Sequence, residues 1–133
     1  MPEPLTDLAQ RGLHHIDREL LVRRLLEALA HPTADALRPY LDPDVRFVVG
    51  GIGLMVTGHD DVIAACAALV GGASSVTLGI EFLTAAGDTV LVEERITLTY
   101  PSNIRTHTHG YSTFLFDGDR IVEWRQMWGT PDQ

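Results

Sequence analysis

The chain has 133 residues, a formal charge of −8 at pH 7, and 45% hydrophobic against 21% charged residues. This composition is that of one globular domain, and its acidic balance excludes nucleic-acid binding, because phosphate contacts need a basic face. All ten basic residues are arginine. Chemistry that needs a lysine, such as Schiff-base formation, is therefore excluded, and the arginine bias is typical of a high-GC bacterial source.

The N-terminal segment and the apolar stretches decide the expected location. Met1 to Pro4 show no basic segment followed by an apolar one, and the longest apolar run, Val62 to Val70, is far too short to span a bilayer. We therefore expect a cytoplasmic protein with no membrane contact. Cys66 is the only cysteine, which excludes an intrachain disulfide and predicts a buried structural thiol.

Periodicity and capping signals predict three helices in the first half of the chain. Residues 1–15 carry no period and are expected to form a loose arm, which leaves 16–133 as a single domain. Leucines at helical spacing predict the first helix, and Thr33 is a typical N-cap for a short second one that Asp42-Pro43-Asp44 is expected to close. The predicted helices run from Asp17 to His31, from Thr33 to Tyr40 and from Gly58 to Leu69.

Alternating branched and polar residues, separated by glycine-containing turns, predict strands between and after these helices. The order of elements predicts an α+β fold, a cone-shaped α+β barrel in which three helices pack on one face of a curved, mostly antiparallel sheet. Such a cone leaves an apolar pocket against the concave sheet face, which is the expected site for a small ligand. The predicted strands are Val45–Val49, Leu54–Thr57, Val76–Ala85, Thr89–Tyr100, Ile104–Phe116 and Arg120–Trp128.

The last hairpin decides which side chains reach that pocket. A three-residue turn over 117–119 sets Ser112 opposite Trp124, whereas a two-residue turn shifts the register by one and reverses every side chain of the preceding strand. In the shifted register the side chains of His107, His109 and Tyr111 would face the pocket. In the favoured register, the inner face of the last strand carries Val122, Trp124, Gln126 and Trp128.

The chain resembles the nuclear transport factor 2-like superfamily, and within it the SnoaL-like and limonene-epoxide-hydrolase-like group. The resemblance covers Asp17 to Trp128 in element order, and its most specific part is the ending Phe114-Leu115-Phe116-Asp117-Gly118-Asp119-Arg120-Ile121-Val122-Glu123-Trp124-Arg125. Further matches are Gly58-His59-Asp60-Asp61-Val62 and Glu94-Arg95. The resemblance implies the same cone-shaped, cystatin-like fold.

The epoxide hydrolases of this group use an arginine between two inward aspartates, with a tyrosine and an asparagine holding the nucleophilic water. Placed on this chain, the pattern keeps only the arginine, at Arg95, while Thr97 and Gln126 fall at the aspartate positions. Neither threonine nor glutamine titrates usefully, so that mechanism is not expected here. The resemblance implies a catalytic set of Arg95, Thr97 and Gln126 and a pocket lining of Phe47, Val49, Thr99, Thr108, Ser112, Phe114, Trp124 and Trp128.

Two groups of candidates have a second interpretation. Ile96, Leu98 and Tyr100 make the opposite face of their strand the more apolar one, which would put Arg95 outside. The pair His107 and His109 fits a metal pair or a general base, but no third ligand has a suitable spacing. We therefore expect neither a metal nor a cofactor.

The resemblance implies a pocket protein for a small apolar molecule. One hypothesis is a SnoaL-like enzyme that isomerises or cyclises an apolar carbonyl metabolite, such as a polyketide or terpenoid, with Arg95 stabilising a developing oxyanion. The alternative is a ligand-binding protein that has lost the family's catalytic carboxylates. We also expect a homodimer, because an apolar and aromatic outer sheet face is rarely left in water. The residues expected on that face are Leu98, Tyr100, His107, His109, Tyr111 and Met127.

Overall fold

A computed structural model describes residues 17–129, and within them three helices pack on one face of a six-stranded sheet. The predicted α+β fold is therefore confirmed. The helices are α1 at 17–28, α2 at Ala34–Leu37 and α3 at His59–Leu69, with a 3₁₀ turn at Arg38–Tyr40 after α2. The strands are β1 at Leu41–Gly50, β2 at Leu54–Thr57, β3 at Ser75–Ala86, β4 at Thr89–Thr99, β5 at Arg105–Asp117 and β6 at Arg120–Trp128.

The sheet has the order β2-β1-β6-β5-β4-β3, and every pair of neighbours is antiparallel except β1 and β6. In that parallel pair Phe47 lies beside Trp124 and Val49 beside Gln126. The first strand of the chain thus pairs with the last one. As a result, side chains from distant parts of the sequence share the inner face of the sheet.

The helix boundaries follow the signals in the sequence. Thr33 is the N-cap of α2, and its hydroxyl accepts the backbone N–H of Ala36 at 3.2 Å. Gly58 precedes α3 with φ of 92°, a conformation that favours glycine. Asp17, the predicted first residue of the first helix, lies in α1, and the proposed arm at 1–15 lies outside the described residues. Within residues 17–129 no helix is long and apolar enough to cross a membrane.

We expected Asp42-Pro43-Asp44 to close the second helix. Instead, this segment lies at the start of β1. The carboxylate of Asp42 accepts the backbone N–H of Asp44 at 2.9 Å, and the pairing of β1 with β6 is irregular between Leu41 and Arg46. The proline therefore lies where the ladder is interrupted, so its missing N–H costs no strand hydrogen bond.

The β5–β6 hairpin combines a two-residue turn with a bulge, which corrects our three-residue expectation. Asp117 pairs with Arg120 and Phe116 with Ile121, but beyond them Phe114 pairs with Trp124. The extra residue is Val122, which is only half-buried, whereas Ile121 is fully buried. The bulge shifts the register a second time, so that Trp124, Gln126 and Trp128 face inward as expected and Tyr111 faces outward.

The core is centred on Trp124, which is buried together with the aromatic rings of its two neighbouring strands. The ring centroids of Phe47 and Trp124 are 4.6 Å apart, and those of Phe114 and Trp124 are 5.2 Å apart. Leucines of α1 and residues Val62 and Cys66 of α3 complete the cluster. The helices therefore cover the inner face of β1, β6 and β5.

One arginine of α1, Arg18, contacts the two turns that join β3 to β4 and β5 to β6. The guanidinium of Arg18 donates to the carbonyl oxygens of Gly87 at 3.1 Å and Gly118 at 3.2 Å, and it pairs with Asp88 at 2.8 Å. The same group lies 5.6 Å from the ring centroid of Phe116. Arg18 thus ties α1 to the β3–β4 and β5–β6 turns.

Candidate functional site

An apolar cavity lies between α1, α3 and the inner face of the sheet. The cavity has a volume of about 30 Å³, so a ligand larger than a few water molecules must displace lining side chains. Gln126 supplies the amide group of its wall. The lining residues are Leu29, Cys66, Leu69, Val70, Val76, Leu78, Ile96, Leu98, Trp124, Gln126 and Trp128.

A buried carboxyl group lies directly behind this wall. Glu94, on the inner face of β4, has 0% of its surface exposed, and no other charged side chain is buried within residues 17–129. Its Oε1 accepts a hydrogen bond from the hydroxyl of Ser112 at 3.0 Å and from the amide of Gln126 at 3.1 Å. Gln126 therefore touches both the cavity and the carboxyl group of Glu94.

Three buried polar atoms around the cavity have no hydrogen-bond partner among the described residues. They are Oε2 of Glu94 and the indole Nε1 atoms of Trp124 and Trp128. A buried polar atom without a partner costs free energy, because it has given up its hydrogen bonds to water. The two tryptophans line the cavity, so their N–H groups are available to a ligand there, whereas Glu94 lies behind Gln126.

Burial raises the pKa of Glu94, and the hydrogen bonds from Ser112 and Gln126 oppose this effect without cancelling it. The carboxyl group therefore keeps its proton to a higher pH than an exposed glutamate does. Since Oε1 already accepts two hydrogen bonds, Oε2 is the oxygen left to carry the proton. Burial likewise raises the pKa of the Cys66 thiol to about 12, as a buried structural thiol requires.

The expected inward placement of Arg95 is wrong, and Thr97 and Thr99 lie on the same outer face. Arg95 has half of its side chain exposed and contacts Glu81 at 3.4 Å and His109 at 3.4 Å. The hydroxyl of Thr97 lies 3.0 Å from Nδ1 of His107. The physical reason is the alternation of side chains along β4. Val90, Val92 and Ile96 are buried, so the even-numbered residues face inward and the odd-numbered ones, Arg95 included, face outward.

The structure brings other expected site residues together on the inner face. Ser112, Gln126, Trp124 and Trp128 surround Glu94 or line the cavity. Phe47, Val49 and Phe114 lie in the buried core rather than in the cavity wall, and Thr108 is half-buried beside Ile96 on the inner side of β5.

Glu94 is the residue that the sequence interpretation missed. The signal was present, because β4 reads Val90, Val92, Glu94, Ile96 at every second position, with an acid in the middle of an apolar face. An inward acid in such a row needs a hydrogen-bonding partner or a function. The match of Arg95 to the epoxide hydrolases led us to place Arg95 inward, which would turn Glu94 outward.

The two histidines of β5 lie outside, as the favoured register predicts. His107 is exposed and His109 is half-buried near Glu81. Across the described chain there is no group of three or more His, Cys, Asp or Glu side chains that could hold a metal ion. Leu98, which we expected on the outer face, lines the cavity instead.

The fold and the site together define an α+β protein with a curved sheet, an apolar cavity and one buried carboxyl group whose pKa is raised. A family model for the SnoaL-like domain matches residues 22–124, so this chain belongs to the SnoaL-like family of the NTF2-like superfamily. A search of curated proteins found no match.

Solved structures with the same fold include proteins with different described roles. A protein from Jannaschia sp. CCS1 whose name proposes a SnoaL-like polyketide cyclase is 21% identical, with a TM-score of 0.77 over 86% of this chain and 87% of that one. An LEH-like epoxide hydrolase from M. tuberculosis is also 21% identical, with a TM-score of 0.74 over 86% of this chain and 84% of that one. At this identity the likeness shows the fold and not the reaction.

Proposed function

We propose that this protein is an enzyme that moves a proton on an apolar carbonyl compound, with Glu94 as the base that takes the proton and returns it. The observation that carries the proposal is the carboxyl group of Glu94, fully buried behind an apolar cavity with Oε2 unpartnered. Buried acids with perturbed pKa values are typical of catalytic sites.

The chemistry needs only the groups present on this chain. When Glu94 is ionised, Ser112 and Gln126 hold its Oε1, and Oε2 is available to a C–H bond next to the carbonyl group. A carboxylate surrounded by apolar side chains is a stronger base than one in water, because proton uptake removes a poorly solvated charge. Returning the proton to the same or another carbon gives exchange or isomerisation without net proton uptake.

The cavity supports an apolar substrate rather than a charged one. Nearly all of its lining side chains are aliphatic or aromatic, and no arginine or histidine is among them. A substrate carboxylate or phosphate would thus meet no cation there and would be repelled by ionised Glu94. The SnoaL-like family and the polyketide cyclase proposed for the Jannaschia protein agree with a carbonyl-rich apolar substrate.

The proposal is tested by following hydrogen exchange next to a carbonyl group. We expect the protein to speed the exchange of the α-hydrogens of cyclohexanone or 2-decalone in D₂O, measured by NMR. The variant Glu94→Gln should lose about 10²-fold or more of this rate, which is the usual contribution of a general base. The matched control is Glu93→Gln on the opposite face of β4. Equal rates for the wild type and Glu94→Gln would contradict the proposal.

A ligand-binding protein without catalysis is the second candidate. The observation in its favour is that Glu94 is the single buried ionisable carboxyl group within residues 17–129, so no second acid or base assists it there. A binding protein should take up 2-decalone without exchanging its hydrogens. It should also keep its affinity for the hydrocarbon decalin in Glu94→Gln, because apolar contacts alone bind that compound.

A further inference from the structure

A glycine separates Glu94 from Trp128 in one row of the inner sheet face. Glu94 on β4 pairs with Gly110 on β5, and Gly110 pairs with Trp128 on β6. Side chains directly opposite on neighbouring strands are adjacent, so a residue with a side chain at 110 would stand between the carboxyl group and the indole. The glycine leaves this place to the side chains of Glu94 and Trp128.

The side chains of Glu94 and Trp128 lean over the glycine from its two sides. A Cβ atom added at Gly110 would lie 3.3 Å from Oε1 and Cγ of Glu94 and 3.5 Å from Cδ1 of Trp128. Cδ1, the ring carbon bonded to Nε1, is the Trp128 atom nearest to that position, so the five-membered ring of the indole lies on the side of the glycine. Both flanking groups carry a buried polar atom without a partner, Oε2 and Nε1.

We propose that the indole N–H of Trp128 binds the carbonyl oxygen of the substrate, across Gly110 from Glu94, and stabilises the charge that develops there. This inference rests on the proposed function. The α C–H bond breaks, its proton moves to Oε2 of Glu94, and its electron pair forms the C=C bond of an enolate whose charge lies on the oxygen. The N–H donates a hydrogen bond to that oxygen and transfers no proton, and the reverse step restores the ketone.

The two tryptophans of the cavity differ in what they can do. Trp124 has an unpartnered N–H as well, but it belongs to another row, opposite Phe114, and its ring packs against Phe47 and Phe114. Trp128 lies across Gly110 from the carboxyl group, at the end of β6. The substrate class that fits is a compact apolar ketone with a hydrogen on the carbon next to the carbonyl group.

The first experiment uses the unaltered protein, labelled with ¹⁵N. The chain has two tryptophans and therefore two indole N–H signals, which Trp128→Phe assigns. On adding 2-decalone we expect the Trp128 proton signal to move downfield, as hydrogen bonding requires. The shape-matched hydrocarbon 2-methylenedecalin should not cause that downfield shift, and Trp124 should respond equally to both compounds. A Trp128 signal that responds equally to both compounds, or to neither, would overturn the inference.

The second experiment separates this inference from the proposed function. The C=O stretch of bound ¹³C-labelled 2-decalone should lie lower in the wild type and in Glu94→Gln than in Trp128→Phe, which lacks the donor. Trp128→Phe should bind the ketone about 3–10-fold more weakly, with little change for 2-methylenedecalin, since one neutral hydrogen bond is lost. An unchanged stretch in Trp128→Phe overturns the inference alone. Undiminished α-exchange in Glu94→Gln overturns the proposed function, even if the stretch shows that Trp128 holds the oxygen.

Discussion

Ser112 lies opposite Val92 on β4, yet its hydroxyl reaches diagonally to Oε1 of Glu94 at 3.0 Å. The diagonal is open because Gly110, the direct neighbour of Glu94, has no side chain to block it. The hydrogen bonds from Ser112 and Gln126 converge on one oxygen, so the two carboxyl oxygens have different roles. Oε1 is held in place, and Oε2 is left for the substrate.

Replacing Ser112 by alanine should raise the pKa of Glu94 further, because the hydroxyl lowers it by stabilising the charged form. If Glu94 is the base, the pH at which α-hydrogen exchange sets in should rise with it. A ¹³C NMR titration of the glutamate carboxyl carbons measures the first effect directly. Thr113→Ala, one residue further on β5, is the control and should leave the titration unchanged. A titration midpoint that falls in Ser112→Ala would contradict the assignment.

Glu94→Gln should make the protein more stable at neutral pH and leave its stability unchanged in acid. The folded-state pKa of Glu94 is raised, so the folded protein binds more protons than the unfolded chain between the two pKa values. The free energy of unfolding therefore falls as pH rises through this window, and the penalty is complete above it. Glutamine cannot ionise, but it can still accept the bonds from Ser112 and Gln126.

Urea unfolding at a series of pH values measures this difference. Below about pH 3 the two proteins should agree, because the carboxyl group is then protonated in the folded and unfolded states alike. Glu93→Gln should stay within about 0.5 kcal/mol of the wild type at every pH. A Glu94→Gln protein that is less stable than the wild type at neutral pH would show that the ionised carboxylate stabilises the fold.

Arg18→Met should destabilise the protein by about 1.5–3 kcal/mol, the usual contribution of a hydrogen-bonded charged group. Only 13% of the Arg18 side chain is exposed, and its guanidinium binds the carbonyl oxygens of Gly87 and Gly118. Asp88→Asn should cost less than about 1 kcal/mol, because 69% of the aspartate side chain is exposed and water screens the ion pair. Thermal or urea unfolding of both variants tests the order. Equal losses would mean that the ion pair, and not the turn carbonyls, carries the contact.

The homodimer remains a prediction, and the outer sheet face gives it a sharper form. Tyr111 and Met127 pair across β5 and β6, and they are 56% and 62% exposed. Leu91 and Leu115 are exposed as well. If a second copy covers this strip, Met127→Lys should weaken self-association in sedimentation experiments. Met55→Lys on the edge strand β2, with 64% exposure, should have a smaller effect. A wild type that stays monomeric at all concentrations would remove the prediction.

The fold could be predicted in detail from local signals, because caps, glycines and alternation act within a few residues. Thr33, Gly58 and the Gly87-Asp88 turn each bound an element as expected. Asp42-Pro43-Asp44 misled because a proline usually ends regular structure, and here an irregular strand pairing accommodates it. The parallel neighbours β1 and β6 could not be inferred locally, since nothing near either strand encodes a partner so distant in sequence.

The site was less predictable, because it depends on which of its two alternating sets of side chains each strand turns inward, the odd-numbered or the even-numbered one. For β6 the parity was correct although the turn was not, since the Val122 bulge compensated for the shorter turn. For β4 the parity was wrong, because the motif match at Arg95 was given more weight than the apolar row around Glu94. Burial decides such cases, since the three buried apolar side chains Val90, Val92 and Ile96 outweigh one matched charge.

The bulge at Val122 also limits how this hairpin can be altered. The two-residue turn and the extra strand residue together decide which side chains of β6 face inward. Deleting Val122 alone, or lengthening the turn by one residue alone, would therefore turn Gln126 and Trp128 away from the cavity. Deleting Val122 and lengthening the turn by one residue cancel each other in phase. Loop exchange between family members is therefore safe only when turn and bulge are transferred as one unit, and a sequence alignment that places its gap between them would misassign every side chain from Glu123 to Trp128.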